Sequence, residues 1–264
     1  MTLTQNAPLL PENFNPAVET ALFAANPEAH FWLGVVASER ELAHPVERHA
    51  AGVLRANIYI DQWHFLPTEA RQADGSESDA DDERSTHYAA LYKDPHKQVA
   101  HVGGNMRVIR KRHEQEPLPV ERLFPEAFTE SPAPVNAIEA SRFIANHNDK
   151  LTQSAISLGL IRAVVLAAYE QGQQPIYAVV ESKLERRFKQ VGLPVTRIAE
   201  PKPLGEYNNT VNMALRFDPV EIVETTERDQ EVAHMITAFF RTSRENGGVG
   251  LYDPLLMVPV GKKA

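Results

Sequence analysis

Between Asn136 and Ala145 the chain reads NAIEASRFIA, with a carboxylate, a hydroxyl and a guanidinium set among apolar residues. The alternation predicts a strand with Glu139, Ser141 and Phe143 on one face and Arg142 on the other. A long apolar segment follows, so the strand feeds a buried helix. Charges held there are costly unless each finds a partner, and the rest of the fold must bring those partners in. Taken alone, the run fits a structural ion-pair network as well as a catalytic centre.

The 264 residues are enough for a substantial core, and 43% hydrophobic with 23% charged residues is ordinary globular composition. A net charge of −8 argues against a general nucleic-acid binder. The absence of cysteine excludes disulfides, a thiol nucleophile and thiolate-bound metals, and suits a reducing cytoplasm. The ten histidines show no ligand spacing, so no metal is expected. Neither a signal peptide nor an apolar run long enough to span a bilayer is evident.

Residues 1–28 read as an extended lead-in. A strand is expected over 31–37, then a helix over 39–62 with Arg55 and Tyr59 on one face. Residues 67–85 are polar and acidic and read as a flexible loop, although composition does not explain why acids recur at Glu77, Asp79 and Asp82. Strands are expected over 86–92 and 98–109, where Gly103-Gly104 suggests a bulge or a close backbone approach. A loop with a helical turn spans 117–128, and the central strand spans 135–146. A helix over 152–171 places Ile156, Leu160, Ile161, Val164, Val165 and Ala168 on its core face. A strand over 175–180, a basic helix over 182–191, strands over 195–199 and 207–217, and an amphipathic helix over 226–245 complete the series. The expected organisation is one domain over 29–218, with 219–264 a C-terminal helix and tail packed on it.

Walker, nucleophile-elbow and zincin motifs are absent. Five separated motifs do fit one pattern. They are Leu54-Arg55 with aromatics four and ten positions after the arginine (Tyr59, Phe65), and Asp74-Gly75-x-Glu77-x-Asp79-x-x-Asp82 followed by His87-Tyr88. The others are Met106-Arg107, Leu118-Pro119-x-Glu121-x-Leu123-Phe124-Pro125, and Glu139-Ala140-Ser141-Arg142-Phe143. In this order, over roughly residues 45–215, the chain resembles the autoinducer synthases: the acyl-homoserine-lactone synthases and the related N-acyl amino acid synthases. The homoserine-lactone branch usually carries Phe and Trp where this chain has Tyr59 and Phe65, so the likeness is nearer to the amino acid branch.

The resemblance implies an α/β GNAT-like fold, a mixed and splayed sheet flanked by helices in three layers. It implies an N-acyltransferase that joins a fatty acyl thioester to the α-amine of an amino-acid-like acceptor, with S-adenosylmethionine the alternative acceptor. Glu139, Ser141 and Arg142 would be catalytic, with Glu139 the base that frees the amine. Arg55, Tyr59, Phe65, Asp79, Asp82 and Arg107 would form the acceptor site, the charged members pinning the acidic loop over it.

No cofactor is expected beyond the donor's own phosphopantetheine. Ordinary GNAT enzymes hold the CoA pyrophosphate on a glycine-bearing loop before the long helix, and residues 148–155 contain no glycine. That favours acyl carrier protein as donor and partner, docking on Arg110, Lys111, Lys183, Arg186, Arg187 and Lys189. A CoA-dependent N-acetyltransferase and a non-catalytic acyl-binding protein are the alternatives.

Overall fold

The computed structural model describes residues 22–26, 31–39, 45–93, 100–148, 150–170, 172, 174–190 and 193–228. Strands β1 (Leu22–Asn26), β2 (Phe31–Glu39), β3 (Ser85–Lys93), β4 (Ala100–Arg110) and β5 (Ile138–Ala145) form an antiparallel meander. β5 meets β6 (Ile176–Glu181) in parallel, through helix α3 (Lys150–Glu170). β6 then pairs antiparallel with β9 (Thr210–Phe217), which also carries the short β7 (Thr196–Arg197) and β8 (Lys202–Leu204). Helix α1 (Pro45–Arg55) continues as a π-helix over Ala56–Gln62. Helices α2 (Pro119–Leu123), α4 (Ser182–Gln190) and α5 (Pro219–Arg228) complete the elements.

Alternation along β4 divides the two faces. Met106 and Val108 enter a core with Ile156, Leu160 and Val164 of α3 and Ile222 and Val223 of α5. Ile109 points the other way, into a second core with Leu118, Val120, Phe124, Tyr177 and Leu204. The sheet is thus covered on both faces, the mixed α/β architecture expected from the sequence. It is also splayed: β5 and β6 pair only at Ile138–Ile176 and Glu139–Tyr177, and beyond that the strands part.

Both readings of Gly103-Gly104 hold. The β3–β4 register slips at this point, leaving Gly103 unpaired between Val102 and Gly104. A Cβ on Gly104 would lie 2.5 Å from Ile156 Cγ2 and 2.8 Å from the Ile144 carbonyl. The glycine is what lets α3 lie this close to the sheet. Gly104→Ala is expected to lower unfolding free energy by about 1–3 kcal/mol, the usual penalty of overpacking, as read by urea denaturation.

Several expectations need correction. The lead-in contains a strand, β1, paired with β2. Of the helix expected over 39–62, Glu39 instead closes strand β2, the described part starts at Pro45, and residues 40–44 lie outside the described residues. The last strand starts at Thr210 rather than 207, after a 3-10 turn over Gly205–Tyr207. Of the amphipathic helix expected over 226–245, α5 reaches Arg228, and the remainder lies outside the described residues.

Candidate active site

Three arginines from three elements converge on three carboxylates of the acidic segment. Arg55, in the last turn of α1, grips Asp82 with two bonds (Nη1 to Oδ1 3.0 Å, Nη2 to Oδ2 2.8 Å) and reaches Glu77 Oε2 through Nε at 2.5 Å. Arg107 on β4 donates to Asp79 and to Asp82 Oδ1 at 3.1 Å. Arg142 on β5 donates to Asp79 Oδ2 at 2.9 Å and Glu77 Oε1 at 3.2 Å. His87 Nε2 lies 3.3 Å from Asp82 Oδ1. Burial opposes ionisation of Asp82, but the charges of Arg55 and Arg107 outweigh it and hold its carboxyl far below the usual range.

The segment carrying these acids is therefore fastened rather than free, which corrects the reading of 67–85 as a flexible loop. Asp79 and Asp82 cap a 3-10 turn over Ala80–Arg84 reciprocally: Asp79 accepts from the Asp81 N–H at 2.9 Å, and Asp82 from the Asp79 N–H at 2.8 Å. Upstream, the Glu77 N–H bonds the Gly52 carbonyl at 3.0 Å, and a Cβ on Gly52 would stand 2.9 Å from Ser76 Cβ. A small residue on α1 admits the loop backbone, and Glu77 is driven into the cluster. Burial then separates the three acids. The Glu77 and Asp82 side chains are 1% and 5% exposed and Asp79 33%, so Asp79 is the member within reach of solvent.

Arg142 reaches the cluster through a defect in its strand. Its φ is 52°, in the left-handed region, and the β4–β5 register gains one residue on β5 between Ser141 and Ile144. Simple alternation fails from this point. Arg142 sits beside Ser141, whose Oγ accepts from Arg107 Nε at 3.0 Å, while Phe143 packs on the α3 side. The expected grouping of Glu139, Ser141 and Phe143 on one face is overturned by this single inserted residue.

Glu139 stands apart from the ion pairs. It is 1% exposed, forms no salt bridge among the described residues, and accepts one hydrogen bond, from the Val120 N–H to Oε2 at 2.7 Å. Burial pushes its carboxyl up to about 7, only partly offset by that amide and by the charge of Arg107. The Val120 amide is itself fixed in place. Glu121 takes Lys111 at 2.7 Å and the Leu118 N–H at 2.8 Å, while Asp81 joins Arg84 and Arg122, each at 2.7 Å. A carboxyl pushed up toward neutrality therefore belongs to the last residue of β5 that pairs with β6 before the strands part.

Aromatic residues cover the same region. The π-helical turn carries Tyr59 to 5.7 Å beneath the Arg142 guanidinium. Phe65 lies 6.2 Å from the Tyr59 ring, and Trp63 packs edge-on to Tyr59 at 5.4 Å. Tyr207, from the turn before β9, is near enough to Arg142, Glu139 and Arg107 to feel their charges, and burial raises its hydroxyl above the usual range. Trp63, Tyr207 and the Val120 amide are not singled out by the sequence reading, and Glu77 is named in its acidic motif but not in the expected acceptor set. Only Glu77, which repeats the spacing of Asp79, and Trp63, an exposed indole between two chosen aromatics, left a signal in the sequence.

The basic residues fare unevenly. Lys111 is 2% exposed and tied to Glu121, so it offers no charge to a partner, and its expected docking role fails. Lys183 pairs with Glu181 and Lys189 with Glu185, while Arg186 is exposed and Arg110 half-buried. The Arg187 side chain lies outside the described residues. Among the described residues no group of three or more His, Asp or Glu is placed to hold a metal, and no helix is long and apolar enough to cross a membrane.

Comparison with known proteins follows the same outline. The model of the autoinducer synthase family matches residues 49–226, more than half of the chain. A sequence comparison with curated proteins gave no match. Among solved structures, the AHL synthase LasI aligns at 22% identity over 71% of this chain and 90% of its own, with a TM-score of 0.56. BjaI, a CoA-dependent acyl-homoserine lactone synthase solved with MTA, aligns at 21% over 78% and 89%, with a TM-score of 0.59. FeeM, an N-acyl amino acid synthase from uncultured soil microbes, aligns at 17% over 72% and 93%, with a TM-score of 0.51. At these identities the likeness establishes the GNAT-like fold.

Proposed function

Because this chain belongs to the autoinducer synthase family, and so is an acyltransferase, we propose that it moves a fatty acyl chain from a thioester to the α-amine of an amino-acid-like acceptor. The observation that carries this reading is Glu139, buried with no salt bridge among the described residues, its carboxyl pushed up to about 7 by burial, at the last β5–β6 pair. Glu139 accepts a proton from the amine, the nitrogen attacks the thioester carbonyl, and the C–S bond breaks as the amide C–N bond is kept. The thiolate leaves and takes up a proton. Backbone N–H groups of β5 past its last pairing with β6 stabilise the oxyanion. Tyr59, Phe65 and the arginine–carboxylate cluster form the acceptor wall, and Asp79 is the outer latch.

An N-acyl amino acid is the product favoured by Tyr59 and Phe65, with an N-acyl-homoserine lactone from S-adenosylmethionine the other outcome. The test is mass spectrometry of purified protein incubated with an acyl thioester and either mixed amino acids or S-adenosylmethionine. N-acyl amino acids are expected. Acyl-homoserine lactone alone would reverse the choice of acceptor, and no acylated product from either mixture would refute the proposal.

For the donor, the glycine-free approach to α3 supports acyl carrier protein, which would dock through Arg186 and Arg187 of α4 and Arg110 of β4. A second reading, acyl-CoA, is favoured by the burial of Lys111 and the pairing of Lys183 and Lys189 with acids, and BjaI is described as CoA-dependent. Arg186→Glu with Arg187→Glu is expected to raise the KM for acyl carrier protein several-fold, because steering of an acidic carrier is lost. An acyl-pantetheine donor should be nearly unaffected. Equal loss with both donors would place the carrier elsewhere, and efficient use of acyl-CoA by the unaltered protein would favour the second reading.

A further inference from the structure

Arg142 is a non-glycine residue in the left-handed region inside a strand, and such a conformation persists only where neighbours over-determine it. Two side chains do so. Asn105 Nδ2 donates to the Arg142 carbonyl at 3.0 Å, and the Tyr59 hydroxyl donates to the Phe143 carbonyl at 3.1 Å. The two carbonyls of the bulge are thus held from two different elements, β4 and the π-helical turn. Asn105 is fully buried, and its Oδ1 has no hydrogen-bond partner among the described residues. An unpaired buried acceptor is costly, and a leucine of similar size would avoid it. The amide therefore owes its place to its donor end.

Ordinary alternation would turn Arg142 toward the apolar core of Ile156, Leu160 and Val164, where a guanidinium has no partner. The bulge turns it instead toward Glu77 and Asp79. We propose that Asn105 is a positioning residue: with the Tyr59 hydroxyl it clamps the β5 bulge and so holds Arg142 on the acceptor side of the sheet. This deepens the acyltransferase reading and rests on it. It also gives Tyr59 a task separate from lining a pocket.

The test is a mutant cycle on N-acylation. Asn105→Leu and Tyr59→Phe are each expected to lower kcat/KM for the amine about tenfold, the scale of a small misplacement, with the KM for the thioester donor nearly unchanged. Introduced into Arg142→Ala, either change should cause less than about a twofold further loss, because the residue it positions is gone. Unchanged kcat/KM in both single variants, or losses that multiply in the Arg142→Ala background, would overturn the proposal. Tyr59→Phe removes one oxygen, so it carries the test by the same criteria should Asn105→Leu fail to fold. If the unaltered protein transfers no acyl group, the functional reading fails and the clamp is read in urea unfolding instead. Asn105→Leu or Tyr59→Phe should then destabilise the unaltered chain more than Arg142→Gly, since glycine adopts this φ freely. Equal destabilisation in both backgrounds would refute the clamp.

Discussion

Glu139→Gln is expected to lower the rate of N-acylation about 10²-fold or more, the usual worth of a general base, while the protein stays folded. Glutamine keeps the carbonyl oxygen that accepts from the Val120 N–H, so the surrounding turn retains its contact. What it loses is the capacity to take a proton. The same substitution has a stability signature of definite sign. Glu139 has a folded pKa near 7, raised above the ordinary glutamate value by burial. Its contribution is therefore complete below the ordinary glutamate range and is lost as pH rises through 7, by about 3 kcal/mol in all. Glu139→Gln should remove that loss, so the variant gains on the unaltered protein between pH 5 and 8 in urea denaturation. A folded variant with undiminished turnover would remove Glu139 from the chemistry.

Asp82→Ala should have the largest effect on stability, about 3–5 kcal/mol, the range for breaking a buried ion pair from one side. Asp82 accepts two bonds from Arg55 and one from Arg107, and its removal leaves both guanidinium groups buried with a carboxylate missing. The 3-10 turn would also lose its reciprocal cap. Asp79→Asn provides the contrast. Asp79 is partly exposed and sits at the outer rim, so its loss should raise the KM for the amine acceptor more than it lowers stability. Urea denaturation and steady-state kinetics on the two variants separate the roles. Equal stability loss in both, with the acceptor KM unchanged, would make the acidic segment structural throughout.

Much of this site was legible because charged residues at unusual positions cannot be indifferent. Arg107 lies in the buried strand β4 and Arg142 in β5, and burial obliges carboxylate partners that the acidic segment was the obvious source to provide. Gly103-Gly104 pointed to a bulge or a close approach, and both occur. The bulge at Arg142 was not legible, because alternation is a property of regular strands and no glycine or proline marks the slip. Asn105 and Tyr59 stabilise it through backbone carbonyls, which leave no trace in side-chain pattern.

Lys111 misled for a related reason. In a run of basic residues it reads as surface, and its partner Glu121 comes from the short helix α2, which packs back on the strand end. The acidic loop misled by composition, since polarity predicts solvation only when nothing nearby is buried and oppositely charged. Tyr207 lies far along the chain, and only the β8–β9 turn brings it to the site.

The most direct measurement is the pH dependence of kcat/KM for N-acylation, taken on the unaltered protein and on Glu139→Gln. The structure predicts a rate that rises with pH through an apparent pKa near 7 as Glu139 gives up its proton, and a variant whose residual rate lacks that limb. The same limb in both proteins, at comparable rates, would contradict the assignment of Glu139 as the base.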